Sequence, residues 1–180
     1  MNRLIIAFLI MFLTVVSASS AFAADTAKPF EIDGSFALAK GPDDFNSARS
    51  VNFGVGYTLT SVSENLQVRV DLSYFKFYYG NSRTLIYERM PVTVSGRYYF
   101  PITDRLKAFA QAGLEKSYDA KDRYLFIDMI GTENRTSLGF SPGGGIDFAI
   151  NPTFSFFALG RFHVITDQYF SMQVGSAVHF

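Results

Sequence analysis

The sequence predicts an all-β protein: an eight-stranded antiparallel up-and-down transmembrane β-barrel whose lumen is filled by side chains. Three observations predict it. From residue 28 to Phe180 apolar residues recur at every second position in stretch after stretch. The segments joining these stretches alternate between short and long. The polar face of the stretches carries acidic and basic residues in matching numbers, as a closed interior requires and a wetted surface does not.

Residues 1–23 stand outside this pattern. Arg3 is the only charge before Asp25, Leu4 to Val16 is apolar except for Thr14, and Ala21-Phe22-Ala23 supplies the small residues of a cleavage site. This reads as a cleaved secretory signal peptide, with the barrel domain spanning 24–180. The uninterrupted apolar run from Leu4 to Leu13 is far short of the roughly 20 residues a membrane-spanning helix needs. After Ala23, charges or turn residues interrupt every apolar stretch, so entry into a membrane is expected through strands.

The strands follow in order. Phe30, Ile32, Phe36 and Leu38 face away from Glu31, Asp33 and Ser35. Val51, Phe53, Val55, Tyr57 and Leu59 alternate with Asn52, Gly54, Gly56, Thr58 and Thr60. Leu66 to Tyr74 sets Val68, Val70 and Leu72 against Gln67, Arg69, Asp71 and Ser73. Met90, Val92, Val94, Tyr98 and Phe100 oppose Arg89, Thr93, Ser95, Arg97 and Tyr99. Leu106 to Leu114 turns three alanines outward and Lys107, Gln111 and Glu115 inward, with Phe109 a misfit on the polar face. Phe140, Ile146 and Phe148 oppose Ser141, Gly145 and Asp147. Phe154, Phe156, Phe162 and Val164 oppose Ser155, Arg161 and His163. Phe170 to Phe180 alternates Met172, Val174 and Val178 with Ser171, Gln173, Gly175 and His179. Each stretch is close to the ~9–11 residues that cross a bilayer at a tilt.

Segments 61–65, 101–105 and 151–153 are short turns, whereas 40–49, 79–86 and 117–136 are long and polar, with 165–169 intermediate. Short turns at one end and long loops at the other mark an outer-membrane barrel. A soluble lipocalin-like barrel would turn its apolar face inward. Here ten charges sit on the polar face: Glu31, Asp33, Asp71, Glu115 and Asp147 against Arg69, Arg89, Arg97, Lys107 and Arg161. Packed in a lumen such charges must be paired, so these ten, joined by His163, are expected to form an internal network. The apolar face then meets lipid, where only a closed sheet satisfies every backbone group.

Aromatic placement agrees with this. The chain has 20 Phe and 10 Tyr but no Trp. Tyr98, Tyr99 and Phe100 precede one turn, Phe154 and Phe156 follow another, and Tyr74, Tyr78, Tyr79 and Tyr87 cluster near a long loop, like interfacial girdles. Pro91 and Pro142 cannot donate to a ladder, so bulges are expected there. Gly143-Gly144-Gly145 lacks the Lys and helix of a phosphate loop and predicts a close backbone approach instead.

The last eight residues, Gln173-Val174-Gly175-Ser176-Ala177-Val178-His179-Phe180, place a polar residue, a glycine, an apolar residue and a terminal aromatic at set spacings. This pattern resembles the β-signal read by the barrel-assembly machinery, with Gln173, Gly175, Val178 and Phe180 at its constrained positions. Arg89-Met90-Pro91-Val92-Thr93, Tyr98-Tyr99-Phe100-Pro101 and Phe140-Ser141-Pro142-Gly143-Gly144-Gly145 likewise resemble strands of the small eight-stranded OmpA- and OmpX-type outer-membrane barrels. The resemblance covers residues 28–180 and implies an integral outer-membrane protein of a Gram-negative cell, exported through the periplasm. It says little of activity, because barrels of this kind share a fold more than a function.

Sixteen basic residues balance sixteen acidic ones, so no positive field gathers phosphates and nucleic acid is not expected as a partner. The absence of cysteine excludes disulfides, thiolate chemistry and Cys-based zinc sites. Asp119, Asp122 and Asp128 lack the spacing of a calcium loop, and no metal or cofactor is expected. An eight-stranded lumen is just filled by side chains, so no wide pore is expected. The candidate surface for binding is the segment 117–136, whose Tyr124, Leu125, Phe126, Ile127, Met129 and Ile130 are too apolar for a loop that only floats in water. It is expected to extend the hairpin, cover the barrel mouth or take a partner by strand addition. Lipopolysaccharide and outer-membrane lipid are the expected surroundings of a monomer.

The competing readings are a lipid A deacylase-like enzyme and a narrow channel. His163 with Ser171 across the hairpin is the best candidate for chemistry. The deacylases carry a serine two residues after the histidine, where this chain has Ile165, and both His163 and Ser171 belong to the lumen face. A structural or surface-interaction role without catalysis is therefore the expectation, with His163 bonded to Glu115 or Arg161.

Overall fold

The computed structural model describes residues 28–41, 48–78, 86–122, 124–125, 128–129, 133–166 and 168–180. Its strands are β1 (Phe30–Lys40), β2 (Ala48–Thr58), β3 (Leu66–Tyr78), β4 (Ile86–Pro101), β5 (Leu106–Asp122), β6 (Tyr124–Leu125), β7 (Asp128–Met129), β8 (Glu133–Asn151), β9 (Phe154–His163) and β10 (Tyr169–His179). Eight of them close into one antiparallel barrel in the order β1-β10-β9-β8-β5-β4-β3-β2, while β6 and β7 form a separate two-residue pair.

The seam is made by ten pairs between β1 and β10, from Glu31↔His179 to Lys40↔Phe170. It is completed by the main chains of Phe30 and Phe180, which exchange N–H···O bonds of 3.4 and 2.9 Å. The three tight turns owe their shape to local polar side chains. Asn151 Oδ1 accepts from the N–H groups of Thr153 and Phe154 at 2.8 and 2.9 Å, with Pro152 between them. Thr103 Oγ1 accepts from Arg105 and Leu106 in the turn after β4.

The alternation resolves as two faces. Leu38, Leu114 and Met172 are 63–66% exposed on the outer wall, whereas Arg69, Arg97, Glu115 and Arg161 are at most 2% exposed inside. An apolar wall turned outward on every strand, with charge within, is a barrel whose solvent is lipid.

Several expectations change. The prolines produce no bulge: the β3–β4 register is the same on both sides of Pro91, and Pro142 keeps its place in the β5–β8 ladder. Each interrupts bridging on the side where its missing N–H would have donated. The register shift falls instead between Ala149 and Asn151, beside the Pro152 turn. Nor is 117–136 a loop throughout, because β5 and β8 continue pairing to Lys121↔Glu133. Residues 1–23, with the expected cleavage site, lie outside the described residues.

Candidate functional site: the filled lumen and the extracellular hairpin

Arg69 lies in the turn-side half of the lumen. Its guanidinium donates to Glu31 and Asp33, to Asp71 at 3.1 Å and to Gln67 Oε1 at 3.0 Å. It can lie across β2 because Gly54 has no side chain: a Cβ there would stand 2.4 Å from its Nη2. The network spreads outward from this point. Arg161 donates to Asp71 at 2.7 Å, Gln111 to Asp71 at 3.1 Å, and Arg97 to Gln111 at 2.9 Å and to the Tyr99 hydroxyl at 3.1 Å. Glu31 also accepts from Gln67 and Tyr99.

A second group lies towards the loops. Arg89 grips Asp119 through two nitrogens, at 2.9 and 3.0 Å, and Ser117 donates to the same carboxylate at 2.6 Å. Planar two-point pairing of this kind is stiff and directional. A third group joins Glu115 Oε2, His163 and Ser171: His163 Nδ1 is 2.6 Å from the carboxylate and Nε2 is 3.0 Å from Ser171 Oγ. In the tautomer whose Nδ1–H donates to the carboxylate, Nε2 accepts the serine proton. Serine, base and acid thus stand in the order of a hydrolase triad, but all three are 0% exposed. At the turn end Ser155 donates to Asp147 at 3.0 Å and contacts His179 Nε2 at 3.0 Å.

The ten predicted lumen charges therefore form separate groups, and two of them behave differently from the expectation. Lys107 has inward parity but is exposed at the turn end, its ammonium 5.7 Å from the Tyr99 ring. Asp147 is held by Ser155 instead of by a cation. Asp119 joins the interior, giving six buried acids against four arginines, so the predicted balance of five and five does not hold. Of the six, Glu115 contacts His163 at 2.6 Å, and Asp147 shares the Ser155 hydroxyl with His179. Asp119 was legible: continuing the β5 alternation past Glu115 brings 117 and 119 inward.

Aromatic rings close the network at both ends. On the loop side Phe75, Phe77, Tyr87 and Tyr169 are at most 3% exposed and stack edge to face or in parallel, with ring centroids 5.3–6.0 Å apart. On the turn side Tyr99, Phe109, Phe157 and Leu159 pack together, and Arg97 sits 4.2 Å above the Phe109 ring. Phe109, the misfit of its strand, is thus a plug. Tyr87, expected in an interfacial girdle, points into the lumen instead, while Tyr99 takes the inward face that its strand parity gave it. Phe109 also explains Gly145, where a Cβ would meet its ring at 2.7 Å.

The assembly-signal residues lie at the seam. Gln173 faces the lumen, Val178 is 1% exposed between its pairing partners Ile32 and Phe154, and Phe180 bonds Phe30 through its main chain. Gly175 leaves no room for a side chain: a Cβ would stand 2.5 Å from Gly34 O and 2.8 Å from Phe157 Cζ.

The loop end is dominated by the β5–β8 hairpin. β9 follows β8 only as far as Phe140, which exchanges bonds of 3.0 and 2.8 Å with Val164. By that parity the N–H and C=O groups of Asn134, Thr136 and Leu138 point away from β5, where among the described residues no strand pairs with them. Of the predicted binding segment, Tyr124 and Leu125 pair through their main chains with Met129 and Asp128. Phe126, Ile127 and Ile130 lie outside the described residues.

Comparison with known proteins agrees with this architecture. The family model for the outer membrane protein beta-barrel domain matches residues 8–174. Neisserial surface protein A is similar in structure, with a TM-score of 0.69 at 20% identity over 84% of this chain and 97% of that one. Ail, the attachment invasion locus protein of Yersinia pestis, has a TM-score of 0.61 at 15% identity, covering 85% of this chain and 99% of that one. OprG of Pseudomonas aeruginosa has a TM-score of 0.60 at 12% identity, covering 85% and 96%. None of the curated proteins matches the chain.

Proposed function

The chain belongs to the outer membrane protein beta-barrel domain family, and on that premise we propose that it is a non-enzymatic surface-interaction barrel working through its extracellular hairpin. It is exported through the periplasm behind a signal peptide of residues 1–23 and recognised for assembly through Gln173, Gly175, Val178 and Phe180. The observation that carries this reading is the edge of β8 at Asn134, Thr136 and Leu138, with which no strand pairs among the described residues, on a hairpin that continues past the strand beside it. An extended segment of a partner protein can add there by main-chain bonds, as strand addition does elsewhere. Two facts support the choice over a channel or an enzyme: side chains fill the lumen, and the Ser171–His163–Glu115 group is enclosed. One similar protein is named for attachment and invasion.

The test is adherence of cells carrying the protein to a serum-coated surface. Thr136→Pro removes only an outward N–H and should abolish adherence, while Thr136→Val preserves it. Equal adherence by Thr136→Pro and by a chain lacking 123–132 overturns the reading.

A further inference from the structure

Charge on the outer wall is confined to one rim. Among the described strand residues the outward-facing charged side chains are Lys40, Arg49, Lys76, Glu88 and Lys116, all towards the loop ends of β1, β2, β3, β4 and β5. The turn-side rim of the same wall carries rings instead, with Phe30, Tyr57, Tyr98, Phe100 and Phe156 each 42–51% exposed.

The register gathers three of the cations. Arg49 lies opposite Lys76 on one side and opposite Leu38 on the other, two positions before Lys40. Lys40, Arg49 and Lys76 therefore occupy three adjacent strands in neighbouring rows. Directly opposed side chains have Cβ atoms only about 5 Å apart, and like charges there repel. Glu88, opposite Lys76, relieves this in part through a 3.1 Å contact with Nζ. Arg49 and Lys40 stay exposed, and the patch keeps an excess of positive charge. Tyr74, two positions below Lys76 and 40% exposed, sets the depth at headgroup level, as does Tyr118, whose ring lies 5.3 Å from the Lys116 ammonium.

We propose that Lys40, Arg49 and Lys76, with Lys116 as an outlying contact, form a site on the barrel's outer wall for the phosphates of the outer-leaflet glycolipid, the lipid A part of lipopolysaccharide. Anionic headgroups between Arg49 and Lys76 remove the repulsion that the register imposes. The spread across three strands, about 10 Å, suits a headgroup bearing two phosphates better than one bearing a single phosphate. Phospholipid phosphates would be met at both rims, whereas among the described strand residues the outward-facing cations stand at the loop rim, and the turn rim has Arg105 and Lys107 in and beside a single turn. The site is separate from the β8 edge and does not depend on it.

The test uses the full folded chain in detergent and three probes: purified lipopolysaccharide, the same material with its lipid A phosphates removed, and phosphatidylglycerol vesicles. Each cation near an anionic surface contributes about a fivefold factor in affinity. Arg49→Ala is therefore expected to weaken lipopolysaccharide binding about fivefold, and the combined Lys40→Ala, Arg49→Ala and Lys116→Ala variant about a hundredfold. Arg49→Lys should retain most of the affinity, and the dephosphorylated probe should not distinguish wild type from variants. Gel mobility of unheated samples reports folding of each variant. Undiminished binding by the folded triple variant overturns the proposal, as does equal binding of the phosphorylated and dephosphorylated probes. Equal affinity for phosphatidylglycerol overturns the assignment to lipid A.

Discussion

The imidazole of His163 lies flat on the ring of Tyr169, with centroids 4.0 Å apart and planes 3° from parallel. Glu115 and Ser171 hold its two nitrogens from the sides, and Phe75 closes on both rings edge-on. The histidine is fixed in position and orientation, and Ser171 is fully buried. These contacts join the loop-side aromatic cluster to the polar lumen, a structural use for the group.

If that is its use, His163→Ala acts on stability and not on lipid chemistry. Removing the imidazole leaves Glu115 buried beside Thr93 without its hydrogen bond to His163, at a cost of about 1–3 kcal/mol. The unfolding midpoint in urea should fall accordingly. Lipid A recovered from cells with wild type, His163→Ala or Ser171→Ala should give identical mass spectra; an acyl pattern that changes with Ser171 would restore the enzymatic reading.

Arg69 makes a sharper case. Arg69→Ala takes from Glu31, Asp33 and Asp71 the cation all three share, leaving Arg97 beside Glu31 and Arg161 beside Asp71, and is expected to prevent barrel closure. Gly54→Ala keeps every charge but pushes a methyl group into the guanidinium, so a loss of about 1–3 kcal/mol is expected from overpacking. Semi-native gels over a urea series measure both. A Gly54→Ala barrel as stable as wild type would show that Arg69 does not depend on the missing side chain.

Closure should also be visible directly. The purified protein should migrate faster unheated than boiled, because a sheet closed on itself through β1 and β10 survives detergent. Identical mobility of the two samples would contradict a closed sheet.

At the seam, deletion of Phe180 removes the residue whose main chain bonds Phe30 at both N–H and C=O. Assembly in cells should fall while expression is unchanged, read as the fraction of heat-modifiable protein in the outer membrane. Gly175→Ala should also reduce this fraction, since its Cβ meets Gly34 O and the Phe157 ring. Wild-type assembly of both variants would remove these positions from the assembly signal.

The strand count, the turned-out apolar face and the alternation of short and long connections were legible because a side-chain period of two records which face each residue takes. So were the inward directions of Arg69, Asp71, Arg97, Arg161 and His163. Parity carried past Tyr74 and Glu115 would also have brought Phe75, Phe77 and Asp119 inward. Partner choice was not legible, because parity says only that a side chain faces the lumen, not which of seven other strands it meets there. Glu31 reaches Arg69 across 38 positions and Asp71 meets Arg161 across 90.

By itself, then, the sequence determined a closed antiparallel barrel with lipid outside and polar groups within, since hydrophobic periodicity is a local property. Only the tertiary structure decided that Lys107 stays in water while Asp119 takes Arg89 as its partner, that Phe109 is a plug, that among the described residues no strand pairs with the outer edge of β8 at Asn134, Thr136 and Leu138, and that Arg49 stands beside Lys76. Each of these depends on strand register, which is set by how the turns and the closing seam align strands far apart in the chain.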